Sequence, residues 1–465
     1  GGSPYYPGSS MKGAFRRACE TAEDVRRYCG GTNREQDTKP GMLRFHGAYP
    51  KNDDWKKQSL VDLVHPQEDW QVKESAKHSA FIQISLYRPT LIFGISSNEE
   101  LDEAEWEKIW GIWTRAMERG IGCRTSAGYG HQRGHGEYRL MSVGLTGQGQ
   151  LPQLLNKSGE FRPNMFKAAL RGHTMRLFGG VTDAETAAVL TRELWGGFAG
   201  RNGSVVGELA LAFDYFPSDL AIEEYRYRSS TFYPYELTEG TLNLLCTRQL
   251  SEKQRKNLRV FIIQLVKFAL LLGGFGKSWR RVDHRIVMPS YLKNNSNPPI
   301  GCHWEFTEAS KALYVPVENL DDIRVFLEKL QNTFVRGWVR QKGKQLSETP
   351  ADWREAWHPD KVQVWGRIAS GKSDSEAVRW FHGSYLGSKS IKKTLLTGWL
   401  GQIGRVWHRM YPQYIKTQNG RLRATGEYIE LLTMFPDDSE TTRNFLKFLE
   451  SASSFSRLYL NVDRG

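Results

Sequence analysis

The stretch "MKGAFR", residues 11–16, returns as "FKAALR", residues 166–171, so that Lys12 is matched by Lys167 and Arg16 by Arg171. A repeat of this kind decides the architecture before any single motif does. Further features follow both copies in one order. After the first come "RYCGG" and the strand-like "GMLRFHGAYP"; after the second come "ELWGG" and "GELALAFDY". Each copy then has another apolar strand, "AFIQISLY" or "TLNLLC", and then a helix. In the first copy that helix is "NEELDEAEWEKIWGIWTRAMERG", with Trp106, Trp110, Trp113 and Met117 expected on its core face. In the second it is "EKQRKNLRVFIIQLVKFALLL", where Leu258, Phe261, Ile262, Leu265, Phe268, Ala269 and Leu272 recur at helical spacing. Each helix runs into a glycine-rich basic loop, "GIGCRTSAGYGHQRG" or "GGFGKSWRRVDHR".

The second loop contains Gly276-Lys277-Ser278, the residue types that end a nucleotide-binding phosphate loop. That loop also needs a glycine five positions earlier, where Leu271 stands, and it must follow a strand and open a helix. Here a helix precedes it. The dinucleotide pattern fails as well, because Trp279 occupies its third glycine position. These failures argue against an NTPase, and what remains is a glycine turn that brings backbone and cations close to a polyanion.

The lysine–arginine segments sit at helix starts. Ser9 and Ser10 are expected to cap the first, where unpaired amides and the helix dipole favour a phosphate and Lys12, Arg16 and Arg17 add full charges. Arg162, Lys167, Arg171 and His173 repeat the arrangement in the second copy. From the loops come Arg124, Tyr129 and His131 in the first copy and Lys277, Arg280, Arg281, His284 in the second.

Composition agrees with an anionic partner. The 465-residue chain carries a formal net charge of +13, which favours nucleic acid. No apolar run approaches a membrane span and no secretory leader is visible, so no membrane partner is expected. Cys19, Cys29, Cys123, Cys246 and Cys302 are scattered and form no C-x-x-C pair, which suggests neither disulfides nor zinc and fits a cytoplasmic protein. The chain opens on Gly1-Gly2, and the opening strand of the first unit is expected to precede it.

"PYYPGSSMKGAFR", followed by "CGG" and "GMLRFHGAYP" and closed by "GIGCRTSAGYG", resembles the RAMP superfamily of CRISPR-associated proteins, in particular backbone subunits of type III effector complexes. The family pattern Pro-Gly-Ser-Ser-Leu-Lys-Gly-x-x-Arg is departed from only by Met11. The second copy lacks Gly-Ser-Ser. The resemblance implies an α+β chain of two tandem RRM-like (ferredoxin-like) domains with insertions, at 1–137 and 138–310. It also implies partners: CRISPR RNA, target RNA and other effector subunits in a filament-like ribonucleoprotein serving antiviral defence. Each unit would grip the guide backbone while base pairing reads sequence, and a hairpin thumb would splay the guide–target duplex.

Cleavage is less determined. In several members an Asp before the Pro-Gly-Ser-Ser segment supports metal-dependent endoribonuclease action, which would need Mg or Mn; no tightly bound cofactor is expected. In the first unit that loop would lie before Gly1. In the second, "TGQGQLPQLLNKSGE" holds no Asp and only Glu160, so this unit is expected to bind without cutting. Catalytic residues stay unassigned. Two alternatives stand beside this reading: a self-sufficient RNA-processing nuclease using His46 or His131 as general base, and a general single-stranded RNA scaffold.

Residues 311–465 lose the repeat. "NLDDIRVFLEKLQNTFVRGWVRQKGKQL" reads as a helix, and "SIKKTLLTGWLGQIGRVWHRMYPQY" as another ending at Pro412. Near its end Arg405, His408 and Arg409 interleave with Trp407 and Tyr411, either to clamp and stack RNA or to bury the aromatics in a core. "SFSRLYLNV" reads as a last strand that could complete the second unit's sheet.

Overall fold

The computed structural model describes residues 3–32, 38–57, 61–64, 68–74, 81–132, 136–198, 203–276, 280–288, 297, 299–399 and 402–459. Helices combine with sheets whose strands pair antiparallel except at the short Arg280–Arg281 edge, so the chain is α+β as the sequence predicts. Among the described residues no helix is long and apolar enough to cross a membrane.

In the first unit, helix α1 (Gly8–Ala18) buries Met11, Ala14, Phe15 and Ala18 and leaves the opposite side polar. Strands β1 (Leu43–Pro50) and β2 (Leu91–Ser97) pair antiparallel from Leu43↔Ser97 to Pro50↔Leu91, with an irregularity between Phe45 and Gly47. Helix α2 (Glu103–Glu118) is capped by Asp102, whose Oδ1 accepts from the Glu105 amide at 2.8 Å. Met11, Phe15, Tyr28, Ile109, Ile112 and Trp113 form the core between helices and strands.

"AFIQISLY" supplies a strand as expected, Phe81–Ile84, but in a separate hairpin with Val61–Val64; the partner of β1 is "LIFGISS", immediately before α2. Both runs are apolar and β-branched, so local pattern does not separate them. On α2 the buried positions are Ile109, Ile112, Trp113 and Ala116. Trp110 is 44% exposed and stacks on Trp106 with ring centroids 6.3 Å apart. The isoleucines take the centre of the face and push the first two tryptophans to its flank.

The second unit follows the sequence more closely. Its main sheet holds β3 (Arg139–Gln150), β4 (Leu209–Asp214), β5 (Pro234–Cys246) and β6 (His303–Phe306) in the antiparallel order β4-β5-β3-β6, and Leu220–Ile222 also pairs with β5. Helix α3 (Asn164–Gly179) carries the second lysine–arginine motif. Helix α4 (Glu252–Phe268) starts in a capping box between Ser251 and Gln254 and buries its predicted stripe. It then passes into a π-turn, Ala269–Gly273, before the glycine loop.

Beyond residue 310 a second five-stranded sheet appears. Strands β7 (Gln363–Ala369), β8 (Val406–Lys416), β9 (Leu422–Met434) and β10 (Ser456–Tyr459) are joined at one edge by Arg280–Arg281, in the order Arg280–Arg281, β8, β9, β7, β10. The helix expected up to Pro412 is absent: residues 392–397 make turns and Val406–Lys416 is a strand. Its first eight residues are buried on both faces, so "VWHRMY" shows no alternation that would announce a strand. The closing strand forms where expected, but pairs with β7 rather than joining the sheet of β3. Helices Asp321–Lys329 and Arg336–Gln341 lie within the helix predicted for that segment. One continuous core, including Leu145, Phe166, Phe268, Trp304, Trp357, Trp407 and Tyr411, joins this region to the second unit.

Candidate nucleic-acid interface

Two glycines seat the start of α1 on β1. A Cβ on Gly8 would meet the Phe45 carbonyl oxygen at 2.1 Å, and one on Gly47, at φ +80°, would meet that of Tyr6 at 2.2 Å. Close backbone approach therefore fixes the helix tip, and its outward side carries Lys12, Arg16 and Arg17, all exposed. Ser9 and Ser10 do not cap: Pro7 holds the cap position without a side-chain bond, and both serines lie exposed in the first turn.

The first glycine loop closes beside this tip. Gly120, Gly122, Gly128 and Gly130 all have positive φ. A Cβ on Gly130 would lie 1.8 Å from the Ile121 carbonyl oxygen, so the loop pinches shut only with glycine there. Gly122 backbone bonds the Tyr6 hydroxyl, whose pKa burial raises against the opposing charge of Arg17. Arg124, itself at φ 58°, donates to Gln83 Oε1 at 2.5 Å and lies 5.6 Å from the centroid of the Tyr129 ring. His131 Nε2 lies 2.7 Å from the Thr125 carbonyl and braces the loop from within.

The motif of the second unit reaches this same loop. Lys167 donates to Ser126 Oγ, so the first unit's loop lies between the two lysine–arginine helices. Nothing in the sequence signals that contact. Arg171 pairs with Asp69; burial raises that carboxyl's pKa, but the guanidinium outweighs it and holds the carboxyl below the usual range. Arg162 donates from Nε to Glu160 at 2.8 Å.

The second cradle is built differently from expectation. Lys277 lies outside the described residues. Arg280 is half-buried, but Arg281 turns inward, with Nη1 donating to the Gly276 carbonyl at 2.7 Å and to Cys302 Sγ at 2.8 Å. It holds the glycine turn rather than a ligand. His173 is buried between Phe268 and Trp407, each 5.4 Å away by ring centroids, and burial keeps it uncharged. His284 is buried too, its pKa lowered to about 3 by burial and then by Arg280. His408 Nε2 lies 2.8 Å from Glu430 Oε1, with both side chains fully enclosed. Arg409 donates to the carbonyls of Leu270 at 3.0 Å and Trp304 at 2.6 Å, tying the end of α4 to β6 and β8. These five residues, His173, Arg281, His284, His408 and Arg409, are internal struts, which corrects their assignment to an RNA surface: burial denies them to an outside partner. Arg405 is half-buried and pairs with Glu74 at 2.9 Å.

The candidate surface is thus Lys12, Arg16 and Arg17 beside the loop of Arg124 and Tyr129, with Lys167 beneath it. Clustered cations over a tight glycine turn suit a sugar–phosphate backbone. Among the described residues no three His, Cys, Asp or Glu side chains converge as metal ligands.

Residues 1–131 match the RAMP superfamily. No curated protein sequence matches the chain. Among solved structures, Cmr1 from Pyrococcus furiosus in its apo form is similar at 11% identity, covering 69% of this chain and 98% of that one with a TM-score of 0.38. A chain of the Type III-B Cmr-beta complex bound to cognate target RNA aligns at 11% identity over 64% of this chain and 94% of that one, with a TM-score of 0.29. Likenesses this loose fix no residue correspondence. The Pro-Gly-Ser-Ser-Met-Lys-Gly helix tip, its seat on β1 and the glycine loop beside it all lie within residues 1–131, the stretch that matches the RAMP superfamily.

Proposed function

We propose that the protein is a subunit of a type III CRISPR RNA-guided effector complex that grips the guide RNA backbone with two tandem units, 1–137 and 138–310. The observation that carries the reading is the convergence of the exposed α1 cations, the first glycine loop and Lys167 on one face. Such a face holds phosphates without reading bases, which leaves sequence recognition to pairing between guide and target. Other effector subunits and target RNA are the remaining partners in this reading.

Sequencing the RNA that copurifies with the protein tests it. A guide with a constant repeat-derived segment is expected; a random population of cellular RNA would favour the general scaffold instead. The second unit is proposed not to cut, because the loop before α3 holds no Asp and its Glu160 is engaged by Arg162. Mapping cleavage in an assembled complex checks this, and a cut opposite the second unit that survives substitution of the first would refute it. As for a self-sufficient nuclease, the isolated chain is expected to leave precursor CRISPR RNA intact.

A further inference from the structure

On the outer face of the first unit's sheet, Tyr5 and Tyr49 stack with ring centroids 5.9 Å apart and planes inclined by 25°. They are 61% and 57% exposed, and Ile92, opposite Tyr49 in the register, is 60% exposed. Side chains alternate along the extended chain: Tyr6 turns inward against Phe93, so Tyr5 turns outward. Three large apolar groups side by side in water form a patch that the fold itself does not use. Around it stand Arg44, His46 and Lys51, all exposed, with His46 Nε2 2.8 Å from Ser96 Oγ.

We propose that this face is a base-stacking platform for single-stranded nucleic acid, a second contact beside the phosphate grip of α1. The occupant is argued from chemistry on the spot. Two stacked phenol rings offer a π-face to any base, and the flanking Arg44 and Lys51 suit phosphates on either side. A flat aromatic step on an open antiparallel sheet is a general way of holding unpaired nucleotides. Because Tyr5 lies three residues before Gly8, a strand leaving the platform passes directly to the tip of α1. The proposal rests on the RNA reading of that tip, and its test separates the two.

Binding of fluorescein-labelled oligoadenylate and of an abasic strand of equal length is measured by anisotropy across a salt series. The double variant Tyr5→Ala/Tyr49→Ala is expected to bind oligoadenylate about 10-fold more weakly with an unchanged salt slope, and the abasic strand as well as the parent does. Tyr5→Phe/Tyr49→Phe restores binding. Both rings are more than half exposed, so folding is expected to persist, and thermal melting verifies it. Equal oligoadenylate affinity for parent and Ala variant would overturn the platform, as would loss of complex assembly with RNA affinity unchanged, which would make the face a protein interface. Lys12→Ala/Arg16→Ala serves as the second arm. If it weakens binding and the tyrosine variant does not, the platform alone fails; if neither does, the RNA reading of the tip fails with it.

Discussion

Removing the charges of α1 should be visible as a change in counterion release. Lys12, Arg16 and Arg17 are exposed on one side of the helix and contribute nothing to its core, which is made by Met11, Ala14, Phe15 and Ala18. For single strands the logarithm of the binding constant falls with the logarithm of salt at a slope near 0.7 per phosphate neutralised, roughly. Taking away three phosphate-neutralising charges should therefore flatten the slope by about 2 in Lys12→Ala/Arg16→Ala/Arg17→Ala. Anisotropy titrations from about 50 to 400 mM KCl span the range in which such slopes are read. A strand without sequence preference suffices as probe, because phosphate contacts strengthen binding uniformly across sequences. An internal control comes from Arg281→Ala, which removes the same charge from a buried strut: its effect should appear in stability and leave the slope unchanged. If the triple variant kept the parent slope while remaining folded, the helix tip would not be the phosphate grip.

Other expectations follow from the interior. Replacing Glu355 by Ala strands Arg176, whose Nε donates to it at 2.8 Å inside the core, and should cost about 3–5 kcal/mol in urea unfolding. Glu430 is held at a pKa of about 2: burial raises it, but bonds from His408, Ser375 and Arg367 outweigh that and lower it. A carboxyl depressed from 4.5 contributes stability above that pH and loses it as pH falls towards 2, on the order of 3 kcal/mol. The acid limb of a stability–pH curve should accordingly shallow in Glu430→Gln; an unchanged limb would refute the coupling. Gly130→Ala combines a positive φ with a 1.8 Å clash and should reduce RNA affinity and cost roughly 1–3 kcal/mol, checked by anisotropy and melting.

How much the residues disclose in advance depends on whether the signal is local. The paired lysine–arginine helices and the stripe of α4 are short-range patterns, and each forms where the spacing places it. Trp110 of α2 departs from expectation, while Trp113 meets it, because helical spacing defines a face without stating which edge of it meets the core. His408 and Arg409 read as surface groups because charge ordinarily means exposure. In β8 they are buried beside Glu430 and the carbonyls of Leu270 and Trp304, partners distant in sequence. Lys167 meeting Ser126 is likewise a product of tertiary folding, with no trace in either motif.

The pairing of Arg280 with His408 and of Arg281 with Arg409, parallel and only two residues long, has a consequence for anyone trimming this protein. The glycine turn of the second unit borrows its anchorage from the far end of the chain. Deleting everything after residue 310 would not shed an accessory; it would unmoor the turn, leave its guanidinium struts without backing and open the hydrophobic interior to water. A shortened version intended to isolate the repeated half should therefore carry β8 and its neighbours with it.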